Sequence, residues 1–569
     1  MSNLFMHLYR TILVIIFIII VPLADAQENS IDSLLAEQVA KYGQAEIFFS
    51  YPGFDELTRT GRMLSVSRVI DSTVYCVISE KDINTFLSLQ LDYKIVPVEE
   101  KKSVTSAFSV EEAMNWDVYP TYPQYDTIVH KLAADYPFIC RVDTIGESIE
   151  GRLILALKIS DNVNEDEDEP EVFYTSNIHG DELQGFVLML RLAEHLLMNA
   201  DNGGLEQALV DSLEIWINPL SNPDGTYHDG DTISYPTRAN ANGTDLNRNF
   251  PDPMAPYIVP DVENMAMIDF MRSRNFVMSA NFHSGFEVVN YPWDRWLSKT
   301  HADSVWFYNI CRRYADTVHN HSVSAYMDSY DNGVVRGAVW YIVYGGRQDF
   351  VTYELQGREV TVELDITKQT PAAQLPLLWE YNYRSFMGYL ENAFYGIHGK
   401  VVDNDTGEFL EAKIYIQGHD KDSSHIYSDS LNGSFARMLS PGTWILTVYA
   451  EGYQTKTVSS IVNENMEQKY ITVRLLGASS SGRTEMEEEI KIWPVPAGDQ
   501  LFISAAKFSG QKLRIRIFNN SGLQVLELKD LSTEENKLEI NISSLPPGFY
   551  VLAVSDSYGR YYHGRFTKY

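Results

Sequence analysis

The rhythm of apolar and polar positions divides this chain into regions. An apolar run, Thr11–Leu23, comes first. Over residues 27–109 short strand-like runs trade places with helix-like ones. Ala45–Ser50, Thr73–Ile78 and Tyr93–Pro97 read as strands, Phe54–Leu64 and Ile83–Leu91 as helices. That order suits a small split βαβ, ferredoxin-like α+β domain. Residues 110–395 repeat the alternation on a larger scale. Glu171–Ser176, Leu213–Asn218, Met278–Phe282 and Val360–Leu364 are strand-like, with a helical stretch, Gln184–Met198, after the first. Apolar strands alternating with helices predict an α/β domain with a mixed, mostly parallel sheet flanked by helices. Residues 396–476 switch to period-two runs such as Thr443–Tyr449, broken by turn signals at Asn432-Gly433 and Ser440-Pro441-Gly442. They predict a β-sandwich. A polar linker, 477–489, and a second all-β sandwich domain, 490–569, complete a multidomain chain.

The flanks of the first apolar run mark it as a targeting signal. Arg10 precedes it, and Ala24-Asp25-Ala26 follows with the small-x-small pattern of a cleavage site. Residues 1–26 therefore read as a signal peptide and Gln27 as the mature N-terminus. An uncleaved anchor is the alternative, but a spanning helix needs ~20 apolar residues and this run is shorter. No transmembrane span is expected after signal removal. With 45 Lys+Arg against 77 Asp+Glu, the net charge is −32. Such a surface repels phosphate backbones, which argues against nucleic acid as a partner, and it attracts basic peptides. The three scattered cysteines, Cys76, Cys140 and Cys311, make neither a disulfide framework nor a cysteine metal site. The acidic run Asn164–Glu169 reads as a solvated loop.

Candidate chemistry concentrates in residues 110–395. In Asn177-Ile178-His179-Gly180-Asp181-Glu182, just after a buried-type strand, His179 and Glu182 stand three apart where a helix begins and can face one cation. A hydrolytic zinc site takes three protein ligands and keeps one position for water. His283, at the end of another strand, is the candidate third ligand. His-x-x-Glu alone is a weak signal, because chance produces it often. The residues around it change that balance. Asn222-Pro223-Asp224-Gly225, Arg238, Asp245-Leu246-Asn247-Arg248-Asn249-Phe250, Trp340-Tyr341, Gly345-Gly346 and Glu363 follow in order.

With these residues the region resembles the zinc metallocarboxypeptidases. Arg238-Ala239-Asn240-Ala241-Asn242 and Asn290-Tyr291-Pro292-Trp293-Asp294 look most like the carboxypeptidase N/E-type (regulatory) branch, where a transthyretin-like sandwich follows the catalytic domain. The resemblance implies one Zn2+ on His179, Glu182 and His283, with Glu363 as the catalytic glutamate and Arg238 as the oxyanion arginine. It further implies that Asn247 and Arg248 clamp the substrate's terminal carboxylate and that Tyr341 closes over the bound residue. The expected activity is hydrolysis of the C-terminal bond of peptides or proteins, by a zinc-activated water with Glu363 as general base. Asp294 and Gln348 match the positions that favour a C-terminal Lys or Arg. The family's Gly-Gly-Met-Gln-Asp, however, is Gly345-Gly346-Arg347-Gln348-Asp349 here, and Arg347 beside the pocket would blunt or shift that preference. Residues 27–109 resemble the family's pro-segments in layout alone.

Other readings stand beside this one. Singly, Arg238 and Arg248 read as surface ion pairs, Asn247 as a turn cap and Tyr341 as core. A peptidoglycan amidase or zinc deacylase of the same fold is one alternative, and a non-enzymatic binding or adhesion protein on that scaffold is another. The Asn247–Arg248 clamp with Tyr341 argues against the first, and the complete ligand set with Glu363 against the second. Residues 490–569 resemble type A sorting domains of type IX secretion cargo. The shared features are Ile492-Trp493-Pro494-Val495-Pro496, Leu545-Pro546-Pro547-Gly548-Phe549-Tyr550 and Gly564-Arg565-Phe566-Thr567-Lys568, with Val495 where the usual motif has Asn. This implies export through the periplasm to the surface or medium, with the secretion machinery as partner. A carbohydrate- or wall-binding sandwich is the alternative.

Overall fold

The computed structural model describes residues 30–97, 104–255, 258–463, 465–478, 488–504, 508, 512–520, 523–532, 537–555 and 561–569. The expected signal peptide and most of the expected linker lie outside the described residues. The chain gathers into two compact units. One comprises residues up to 402 with 408–448 and 456–473, and the other 403–407, 449–455 and 474–569.

The first unit begins with a four-stranded antiparallel sheet. Its strands are β1 (Gln44–Ser50), β2 (Ser65–Ile70), β3 (Thr73–Ser79) and β4 (Lys94–Ile95), in the order β2-β3-β1-β4. Alternate residues of β1 and β3 (Ala45, Ile47, Phe49, Val74, Cys76 and Ile78) pack against Leu35 and Val39 of a helix, Ile31–Tyr42, and Phe86 of another, Ile83–Ser88. Several features depart from the sequence reading: the helix Ile31–Tyr42 was not read, and the helix from Ile83 ends at Ser88 instead of Leu91. The helix starting at Phe54 stops at Thr60, before Gly61, instead of reaching Leu64. β2 is the strand that the βαββαβ order requires but to which no residues were assigned, because a register shift between Val66 and Arg68 breaks its alternation.

The centre of this unit is an eight-stranded mixed sheet. Its strands are β5 (Cys140–Glu147), β6 (Leu153–Ile159), β7 (Glu171–Ser176), β8 (Glu214–Asn218), β9 (Phe276–His283), β10 (Phe286–Tyr291), β11 (Val334–Arg336) and β12 (Arg358–Asp365). They run in the order β11-β10-β12-β9-β7-β8-β6-β5, and β12, β9, β7 and β8 are mutually parallel. Every residue of β7 is buried, so neither face of the strand meets solvent. Val172 and Tyr174 join helices Tyr122–Asp135, Gln184–Met198, Ser304–His319 and Leu375–Leu390 in one core. Phe173 on the opposite face meets Phe270 of helix Val262–Arg272 and Phe276, and Phe350 of helix Arg347–Glu354 joins that cluster. Burial on both faces is what a parallel sheet requires. The acidic run is a loop as read, but burial raises the Glu169 carboxyl to about 8.

Two smaller sheets follow. One orders Ser434–Arg437, Gly396–Asp403 and Gln468–Leu475, the other Ile426–Tyr427, Lys413–Ile416, Gly442–Tyr449 and Lys456–Asn463. Arg437 and Arg358 both donate to Asp303 Oδ2 at 2.7 Å, a buried ionic knot within the first unit. In the second unit a five-stranded and a three-stranded sheet enclose Leu501, Ile503, Ile515, Ile517, Leu552 and Phe566.

Candidate metal centre and carboxylate recess

Strand ends and tight turns bring the expected residues together. β7 ends at Ser176, and Asn177 turns the chain at φ 61°, with its Nδ2 donating to Thr226 Oγ1 at 2.7 Å. Gly180 passes so close to the next loop that a Cβ on it would lie 2.3 Å from the Gly225 carbonyl carbon. Glycine at this place lets His179 and Glu182 turn back over the sheet. β9 ends at His283, and the parallel register of β9 and β12 sets Glu363 beside it.

The ligand atoms of His179, Glu182 and His283 all lie within 4.8 Å of one another. His179 Nδ1 is 2.9 Å from Glu182 Oε1, His283 Nδ1 is 2.8 Å from Glu182 Oε2, and the two Nδ1 atoms are 3.1 Å apart. The outer nitrogens are engaged elsewhere. His179 Nε2 is 3.0 Å from Asp245 Oδ1, and the Asn281 amide is 2.8 Å from His283 Nε2. Outer partners of this kind orient metal-binding imidazoles. The set also draws positive charge, because Arg238 Nη1 lies 3.0 Å from His179 Nδ1 and donates to Glu182 Oε1 at 3.1 Å. Burial raises the Glu182 carboxyl, but the two imidazoles outweigh it and hold the group well below the usual carboxylate range. Burial pushes His283 down to about 4. Both groups are thus kept in the deprotonated form that metals need. Two imidazoles and a carboxylate, 2–4% exposed, are a donor set that fits zinc.

Two other groupings among the described residues fit less well. Asp303, His419 and Asp420 are already neutralised by Arg358 and Arg437, and Asp161, Glu167 and Glu169 hold no imidazole.

Beside the donor set lies a recess lined by Asn247, Arg248, Asp294, Tyr341 and Glu363. Glu363 is 9% exposed, and its Oε2 is buried without a hydrogen-bond partner. Burial, and then the charge of Glu182, push its carboxyl well above the usual range. Gln348 Nε2 and Asn290 Nδ2 both donate to Asp294 Oδ1, at 2.8 and 3.0 Å. Burial raises Asp294 to about 7. Burial likewise lifts the Tyr341 hydroxyl to about 12. Arg347 corrects the sequence reading: its guanidinium does not face the recess but turns into the sheet, where it meets Thr175 and Glu359. It therefore gives no reason to expect a blunted pocket.

The recess is closed by the N-terminal sheet. Arg248 Nη2 donates to the Val66 carbonyl at 2.8 Å. Ser65 Oγ accepts from Arg238 Nε at 2.9 Å and donates to Asp245 Oδ2 at 2.5 Å. Gln44 Oε1 accepts from the Arg238 backbone N–H at 2.7 Å, and Tyr341 and Val343 are buried in the N-terminal core. The cavity left, about 30 Å³ and bordered by Ser67, takes a water or two but no amino-acid residue. Sequence reasoning gave no role to Gln44, Ser65, Val66, Thr175, Asn281 or Asp245. Only Asp245 carried a signal, through its place in the Asp245–Phe250 run.

The profile of the zinc carboxypeptidase family matches residues 125–385, and that of a secretion system C-terminal sorting domain matches residues 491–563. Carboxypeptidase D of Mus musculus is 34% identical over 376 residues, 63% of this chain and 26% of the relative, so the chain spans about a quarter of that protein. The carboxypeptidase N catalytic chain of Rattus norvegicus is 33% identical over 383 residues, 60% of this chain and 82% of the relative. Among solved structures, carboxypeptidase A from Helicoverpa armigera covers 62% of this chain and 97% of its own, at 19% identity and a TM-score of 0.47. With one third of positions shared across four-fifths of the rat carboxypeptidase N catalytic chain, this protein belongs to the zinc carboxypeptidase family.

Proposed function

We propose that the protein is an exported zinc-dependent carboxypeptidase that removes C-terminal residues, preferably Lys or Arg, and is latent while its N-terminal domain is docked. The observation that carries this reading is the convergence of His179, Glu182 and His283 beside a recess that holds both Arg248 and an unpartnered Glu363 carboxylate. When bound by His179, Glu182 and His283, zinc supplies a Lewis acid that acidifies water and polarises a carbonyl.

The chain's own groups account for the rest. Arg248 presents a guanidinium fork, which suits a free α-carboxylate because it bonds both oxygens at once, and Asn247 adds an amide donor. Arg238, 2% exposed, is a fixed cation for the negative charge that develops on the scissile oxygen. Glu363 takes the proton of the attacking water and passes it to the leaving amine, and a carboxyl raised by burial suits a group that must both take and return a proton. Tyr341 covers the bound residue.

Asp294, steadied by Gln348 and Asn290, is the group that meets a basic side chain. With its carboxyl at about 7, it is charged above that pH and neutral below it. The preference for Arg over Leu should therefore shrink as pH falls from 8 to 6. Release rates from peptides ending in Arg, Leu and Glu check this, and equal rates at pH 8 remove the claim of basic preference.

The match of residues 491–563 to a sorting domain supports export. Deleting residues 490–569 should leave folded protein in the periplasm, active once its N-terminal domain is released, whereas normal secretion of the deletion would favour a wall-binding role. A test of the function itself compares a peptide with a free C-terminus and its amide, after release of the N-terminal domain. The proposal requires hydrolysis of the free form only; a peptidoglycan amidase or deacylase would not discriminate so, and a binding protein would cleave neither.

A further inference from the structure

Arg347 stands where the family pattern has methionine, directly after Gly345 and Gly346. Its backbone N–H donates to Asn247 Oδ1 at 2.9 Å, which leaves the Nδ2 end of that amide for a substrate carboxylate. The side chain, 1% exposed, runs the other way, into the sheet. Nη2 lies 3.1 Å from Glu359 Oε2, which also accepts from Ser279 Oγ at 2.8 Å, and the guanidinium sits 5.2 Å from the centre of the Phe173 ring. Nη1 donates to Thr175 Oγ1. Thr175 and Asn281 are register partners on β7 and β9, with Thr175 Oγ1 donating to Asn281 Oδ1 at 3.1 Å. The Asn281 amide in turn touches His283 Nε2 at 2.8 Å.

We propose that Arg347 is a positioning residue that ties the carboxylate-binding amide of Asn247 and the metal-facing imidazole of His283 into one rigid frame. A guanidinium only donates, so Thr175 Oγ1 is committed as its acceptor and Asn281 is left with a single steady neighbour. Asn281 then holds the His283 ring from behind, with Nδ1 turned towards Glu182. Stability alone does not account for the arrangement. A buried ion pair loses much of its attraction to desolvation, and an apolar side chain of similar volume would fill the space as well. What the arginine adds is a side-chain anchor to Thr175 and Glu359 that fixes the backbone N–H holding Asn247, a donor any residue here would offer.

The test uses the full chain. The variant Arg347→Met/Glu359→Gln removes both buried charges together, which avoids an uncompensated one, and Thr175→Val cuts only the arm towards His283. Zinc affinity is read by chelator competition, and KM for a peptide with a free C-terminus is read at saturating zinc, on chains treated alike to free the recess. The double variant is expected to bind zinc about tenfold or more weaker, the range seen for outer partners of metal ligands. Its KM should also rise about tenfold with kcat little changed, the pattern of lost uniform binding. Thr175→Val should weaken zinc similarly while leaving KM within about twofold, since Glu359 still anchors the Arg347 side chain and with it the backbone N–H that holds Asn247. A purely structural role would lower the folded fraction and move neither constant. Unchanged zinc affinity in Thr175→Val, or unchanged zinc affinity and KM in a folded double variant, overturns the proposal. If the double variant does not fold, Thr175→Val decides alone. The KM arm rests on the carboxypeptidase reading and the zinc arm does not, so a wild-type chain that binds zinc but hydrolyses nothing would sink that reading only.

Discussion

Replacing Glu363 by glutamine is expected to lower kcat by about 10³-fold or more while zinc still binds, since a well-placed general base is worth about two to four orders of magnitude. Glutamine has the shape of glutamate but cannot accept the proton of the attacking water. The carboxylate is suited to that task by its surroundings. It sits on β12 in register with His283, its Oε2 has no partner, and burial together with the charge of Glu182 raises its proton affinity. The substitution should not unfold the chain, because it removes a buried charge that repels Glu182. Metal content measured beside turnover separates two outcomes. Loss of activity with zinc retained supports a catalytic role, whereas turnover within tenfold of wild type would refute it.

Freeing the catalytic recess from the N-terminal domain should raise activity by about 100-fold, which corresponds to a docking preference of about 3 kcal/mol. Val66 occupies Arg248 with its carbonyl, Ser65 bridges Arg238 and Asp245, and Gln44 holds the Arg238 backbone. A substrate carboxylate must displace all of these from a cavity of about 30 Å³. Cleaving the chain after the N-terminal domain is one way to test this. The double substitution Gln44→Ala/Ser65→Ala is another, because it loosens docking without touching the proposed catalytic groups. Activity equal in the intact, cleaved and substituted chains would mean that the domain does not restrain the site.

The sequence made some of this architecture legible and hid the rest for definable reasons. β7 and the helix Gln184–Met198 were placed to the residue, because a strand centred on Val172-Phe173-Tyr174 followed by a long periodic helix leaves little ambiguity. His179, Glu182, His283 and Glu363 stood out as members of an ordered set of motif residues between 177 and 363, since His-x-x-Glu alone is a weak signal. Nothing in the sequence revealed that Ser65 and Val66 reach the recess. Their strand is irregular at the point of contact, and the contact uses a main-chain carbonyl that any residue would supply. Arg347 misled for a related reason. Its neighbour Gln348 faces Asp294, and adjacency in the chain suggested that the guanidinium would too, whereas the first turn of a helix sends successive side chains in different directions.

The most direct test of the central claim measures bound zinc in the purified chain together with hydrolysis of one peptide in free and C-terminally amidated forms, after the N-terminal domain has been released. The account predicts about one zinc per chain, loss of activity on chelation, and cleavage of the free peptide alone, as a three-ligand site beside a guanidinium clamp requires. A chain that holds no zinc, or that cleaves both peptides at the same rate, would contradict it.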